Sequence, residues 1–114
     1  MVQLGYFTID TPDIDKARAF YGGLFGWRFD EAQSGPAYLH VADSQPPFGF
    51  TKVERAREFR HLYFRVDDVE ALCERVKELG GKAAVPSESQ SGLTAVVSDD
   101  QGVSFSLWQP AAGF

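Results

Sequence analysis

Tyr6-Phe7-Thr8-Ile9-Asp10 returns later in the chain as Tyr63-Phe64-Arg65-Val66-Asp67. Tyr, Phe and Asp repeat, Val replaces Ile, and Arg replaces Thr, all at an offset of 57 in a chain of 114 residues. Half the length has been laid down twice. Each copy also leads into a segment of helical period: Ile14, Ala17, Phe20/Tyr21 and Leu24 after the first, Val69, Leu72, Val76 and Leu79 after the second. A strand running into a helix, twice, sets the architecture.

Within the first copy the two-residue period places Gly5, Phe7 and Ile9 on one strand face and Leu4, Tyr6, Thr8 and Asp10 on the other. The first face should meet the helix. Thr11 reads as the N-cap with Pro12 at the first helical position, and Gly22-Gly23 with Gly26 as the stop. Three strands are expected to follow: one opening at Phe25-Gly26-Trp27-Arg28-Phe29 and ending near Gln33-Ser34-Gly35-Pro36, one over Ala37–Val41, and one over Phe48–Val53. Glu54 to Glu58, polar and without apolar period, reads as a connector with a helical turn.

The second copy repeats the plan. Leu62, Phe64 and Val66 share one strand face while His61, Tyr63 and Arg65 share the other. Asp67 with Glu70 three residues on suggests a capping box, and Gly80-Gly81 ends the helix. Strands are expected over Lys82–Val85, Leu93–Ser98 and Val103–Gln109, with a polar loop over Pro86–Gly92 and a turn at Asp99 to Gly102. The expectation is one domain over 1–114, with module one at 1–53, a connector at 54–60 and module two at 61–110.

At 114 residues and 44% hydrophobic the chain can bury roughly two-thirds of its unfolded surface, whereas half of it would bury only about 60%. The halves should therefore share a core, within one chain or with a second. Net charge is −5 and pI about 4.9, with Lys and Arg scattered, so nucleic acid and anionic membranes are excluded as partners, and cationic or neutral small ligands fit better. A single Cys73 makes no internal disulfide, no export signal follows Met1, and no apolar run reaches the ~20 residues that cross a bilayer. A cytoplasmic location is expected.

In this order of elements the chain resembles the vicinal oxygen chelate superfamily of glyoxalase I, bleomycin-resistance proteins and extradiol dioxygenases. The resemblance is carried by Phe20-Tyr21 with Leu24-Phe25-Gly26-Trp27, by Tyr63-Phe64-Arg65-Val66-Asp67-Asp68-Val69, by Lys77-Glu78-Leu79-Gly80-Gly81-Lys82, and by Asp99 through Gly102 to Leu107-Trp108-Gln109-Pro110. It implies an α+β fold in which two βαβββ modules form an incomplete mixed-sheet barrel around a cleft, often completed in a homodimer.

The resemblance also implies where a divalent metal would be held, by His, Glu or Gln on the first and last strand of each module. In this sequence those positions fall at Tyr6 (or Leu4), at Phe50 with its neighbours Gly49 and Thr51, at His61 and at Ser106. His61 alone is a usual ligand, and one imidazole lacks the chelate gain that fixes a catalytic metal. No cofactor is therefore expected.

Two functions fit. The first is a small-molecule binding protein of the bleomycin-resistance kind, with a ligand held by Tyr6, Thr8, Phe50, His61, Tyr63, Arg65, Ser106 and Trp108 in an aromatic cleft. The alternative is a metal-dependent lyase, isomerase or dioxygenase of the glyoxalase kind, with His61 as ligand or general base. Which face of the Ala37–Val41 strand lines the cleft is open at this stage, as is the exchange of modules across a dimer. Cys73 reads as buried packing, because neighbouring Glu70, Glu74 and Glu78 disfavour a thiolate.

Overall fold

The computed structural model describes residues 5–55 and 62–114. The chain divides into two compact units, Met1–Ala56 and Arg57–Phe114, a division that falls inside the expected connector. Among the described residues no helix is long and apolar enough to cross a membrane.

Unit one contains β1 (Phe7–Thr11), α1 (Ile14–Phe25), a 3-10 turn (Glu31–Gln33), β2 (Tyr38–His40) and β3 (Phe48–Lys52). Its sheet runs β1-β3-β2, with β1 parallel and β2 antiparallel to β3. Ile9, Phe50 and Leu39 stand side by side across the three strands, and all three are fully buried. Above them α1 brings Ala17, Phe20, Tyr21 and Leu24, with the Tyr21 and Phe50 rings 4.7 Å apart. Trp27 stacks on Tyr21 at 5.8 Å and meets Phe48 edge-on at 5.0 Å, so the aromatic load of this half is a packed core.

Three expectations for unit one are corrected. Thr11 does not cap α1, because its backbone is still paired with Lys52 in the sheet; Asp13 caps instead, accepting from Lys16 N at 3.1 Å. Gly22-Gly23 does not stop the helix. Two glycines cost about 1 kcal/mol each, and the burial of Leu24 beyond them offsets this, so α1 ends only at Gly26, in the left-handed region at φ 70°. The strand expected from Phe25 shrinks to one bridge, Phe29 to Val41, since Trp27 turns into the core and Asp30 caps the 3-10 turn.

Unit two contains β4 (Tyr63–Arg65), α2 (Val69–Glu78), β5 (Lys82–Ala83), β6 (Ser87–Ser89), β7 (Gly92–Ser98) and β8 (Ser104–Pro110). Its sheet runs β4-β8-β7-β5, with β6 hydrogen-bonded to β7 and β4 parallel to β8. Ala95, Val97, Phe105 and Leu107 are buried, as are Val69, Cys73 and Val76 of α2, which packs on β5, β7 and β8. The helix cap is Asp68, not Asp67, because Val66 N still donates to Trp108 O at 2.8 Å and prolongs the extended chain. Asp68 accepts from Ala71 N, so Glu70 completes no capping box. The expected polar loop holds β6, a strand without apolar alternation.

The two units share a plan: the first strand runs parallel to the last, a helix lies between them, and the strand before the last is antiparallel. In unit one the Phe29–Val41 bridge occupies the place in the plan that β5 has in unit two. The chain is thus α+β, with two open mixed sheets built on the repeated βαβββ pattern.

Candidate ligand-binding site

Strand alternation leaves one face of the unit-two sheet turned away from its core residues. Tyr63 pairs with Ser106, Arg65 with Trp108, Val96 with Ser106 and Thr94 with Trp108, so these six residues share that face. Tyr63 is 54% and Val96 40% exposed, large values for apolar side chains. Ser106, short and central between them, is buried to 1% and presents almost nothing outward. Its main-chain N–H donates to Leu62 O at 2.9 Å.

Trp108 is half-buried and fixed at both ends. Its indole N–H donates to Ser91 O at 3.1 Å, and the Arg65 guanidinium carbon lies 5.8 Å from the ring centroid. Beside it a depression of about 540 Å³ is lined by Tyr63, Ser89, Ser91, Thr94 and Trp108. Rings and hydroxyls in a concavity of this size suit a small molecule with flat apolar surface and a few polar atoms. Of the lining residues, Thr94 could have been read from strand alternation with Val96. Ser89 and Ser91 had no signal, being in a segment without hydrophobic period.

In unit one Tyr6 and Thr8 occupy the face opposite Ile9 and Phe50, and Tyr6 is 69% exposed. The register settles the β2 face as well: Tyr38 lies beside Thr51 and His40 beside Gly49, which in turn neighbours Thr8. Tyr38 Oη and His40 Nδ1 are 2.7 Å apart. Burial, and after it the nearby Tyr6 phenol, raises the Tyr38 hydroxyl above its ordinary value of 10, so it stays protonated at neutral pH. Phe50, expected among the ligand contacts, is instead in the core against Tyr21, because its position in β3 is in register with Ile9 and Leu39. His61 lies outside the described residues.

Of the four positions implied for a metal, three lie among the described residues. Tyr6 offers a phenol, Phe50 a buried ring and Ser106 a buried hydroxyl, whereas three or four N/O donors must converge at about 2 Å. Among the described residues no group of three His, Cys, Asp or Glu is placed to hold a metal ion.

The repeat, the topology and the register agree with a match of residues 6–108 to the family model for a glyoxalase-like domain. The chain belongs to the glyoxalase-like domain family. Among solved structures, this glyoxalase-like chain is similar to TnmS3, an antibiotic binding protein from Streptomyces sp. CB03234, with 28% identity, a TM-score of 0.74, and coverage of 97% of this chain and 98% of TnmS3. The lactoylglutathione lyase of Haemophilus influenzae is 26% identical over 89% of this chain and 87% of its own length. The anthracycline biosynthesis protein DnrV of Streptomyces peucetius is 26% identical over 91% of this chain and 46% of DnrV. The glyoxalase-like chain spans less than half the length of the first curated relatives it matches, 43% to 46%.

Proposed function

We propose that this chain is a small-molecule binding protein that holds a flat aromatic ligand on the open face of unit two, and that it does so without a catalytic metal. The observation that carries this is the depression beside Trp108, with Tyr63 and the Ser89, Ser91 and Thr94 hydroxyls around it. An indole face already anchored through its N–H loses little freedom on stacking with a ligand ring. Similarity to TnmS3, an antibiotic binding protein, and to DnrV, an anthracycline biosynthesis protein, supports the same ligand class. The active form is proposed to be a homodimer: among the described residues β1 pairs only β3, and β4 only β8, so each described sheet ends in a strand that another copy could extend.

The test is a titration of the protein with an anthracycline, followed by calorimetry. Saturable binding to the native chain that is lost in Trp108→Ala supports the proposal; equal binding by both removes the site from unit two.

A second reading, a metal-dependent lyase, isomerase or dioxygenase, is favoured by the relation to lactoylglutathione lyase and by His61 at a ligand position. Elemental analysis of protein purified without chelator separates the two. Close to one nickel, zinc, iron or manganese per chain would put the enzyme first.

A further inference from the structure

The pocket of unit two is lined by hydroxyls and an indole, and none of its five lining residues carries a charge. The charge held against it belongs to Arg65, two residue pairs along the β4–β8 ladder from Tyr63 and Ser106 and on the same face. Three other arginines among the described residues have carboxylate partners. Arg18 pairs with Asp15 at 2.7 Å and Glu31 at 3.0 Å, Arg28 with Asp43 at 2.6 Å, and Arg75 reaches Glu78 at 4.0 Å. Arg65 pairs with no described carboxylate and rests on the Trp108 ring instead. A cation over a half-buried ring at the surface is only weakly held, and a guanidinium retains donors in fork geometry that match a carboxylate.

We infer that the ligand class of this site is a planar aromatic acid, its ring against Trp108 and its carboxylate, or a phenolate ionised at neutral pH, taken by Arg65. This deepens the proposal that the Trp108 face binds a small molecule and rests on it. It also reverses what the net charge of −5 suggests, namely a cationic guest. Net charge acts at long range and is screened beyond about 8 Å in physiological salt, whereas contact specificity is set by the group at the site. The group at this site is a cation with no carboxylate partner among the described residues. Arg65 is thus the specificity-determining residue of the pocket, and Trp108 the platform.

The test uses three probes that share one ring system: anthraquinone-2-carboxylate, anthraquinone-2-carboxamide and 2-(aminomethyl)anthraquinone. Each is titrated into the full chain by calorimetry at about 0.15 M salt, the regime where the screening length is ~8 Å. The carboxylate should bind about ten-fold more tightly than the carboxamide, as expected for one charge-assisted hydrogen-bonded pair, and the amine most weakly. In Arg65→Gln, at an exposed position, the carboxylate should lose its advantage and bind no more tightly than the carboxamide does to the same variant. Equal affinities in the native protein, or an acid preference that survives Arg65→Gln, would overturn the inference and leave binding at Trp108 standing. Absence of saturable binding by all three would count against the binding face itself.

Discussion

The Tyr38 hydroxyl and His40 Nδ1 lie 2.7 Å apart, and the Tyr38 ring reaches across the glycine of the adjacent strand to make that bond. A Cβ on Gly49 would stand 2.5 Å from Tyr38 Oη and 2.6 Å from Cζ, and it would also run into the Leu39 carbonyl oxygen. Gly49→Ala should therefore destabilise the protein by about 1–3 kcal/mol, the usual cost of overpacking. Thermal melting checks this. Adding Tyr38→Ala should recover only part of the loss, because the Leu39 carbonyl is backbone and cannot swing away.

Phe50 and Tyr6 both stand among the expected ligand residues, and they separate cleanly by substitution. Phe50 is fully buried against Tyr21, so Phe50→Ala should cost about 3–5 kcal/mol. Tyr6→Ala, at a side chain 69% exposed, should change stability by less than about 0.5 kcal/mol. Denaturant midpoints for the two variants measure the difference directly.

Asp99 is 3% exposed and its carboxylate holds the β7–β8 turn, accepting from Gln101 N at 2.8 Å and Val103 N at 3.0 Å. Removing the acceptor leaves the buried Val103 N–H short of a partner, a loss of about 1–3 kcal/mol. Asp99→Ala should show that loss in chemical denaturation. Asp99→Asn, which keeps a side-chain oxygen, should retain most of the stability.

How far the sequence carries follows from these residues. The repeat of Tyr6–Asp10 in Tyr63–Asp67 is enough for the α+β plan, since strand and helix periods are local properties of each copy. Side-chain placement on β4 and β8 was also legible, because alternation around Phe64, Phe105 and Leu107 has only one buried solution. What was not legible depends on pairing between distant segments. Phe50 goes to the core because β3 registers with Ile9 on one side and Leu39 on the other. Ser87–Ser89 becomes a strand because β7 offers it a partner, not through any propensity of Ser-Glu-Ser. The caps moved by one or two residues for the same reason: Thr11 and Val66 are still engaged by neighbouring strands.

Cys73 gives a pH dependence of known sign. Burial raises its thiol above the ordinary value of 9, Lys77 opposing and Glu74 and Glu70 adding to the effect. Below pH 9 both folded and unfolded chains hold the proton, and this contribution to stability is complete. As pH rises above 9 the unfolded chain releases the proton first, so stability falls. The Tyr38 phenol acts with the same sign above 10. Denaturation of the native chain and of Cys73→Ala at matched pH should show a steeper alkaline loss in the native chain; parallel curves would contradict the assignment.

For the proposal that unit two binds its ligand against Trp108, the chain contains an internal control. The two indoles, Trp27 packed on Tyr21 in unit one and Trp108 beside the pocket in unit two, give separate N–H signals in a nitrogen-15 correlation spectrum. Titration with anthraquinone-2-carboxylate should shift the Trp108 signal saturably and leave that of Trp27 in place. A shift confined to Trp27, or binding detected by calorimetry with the Trp108 signal unmoved, would contradict it.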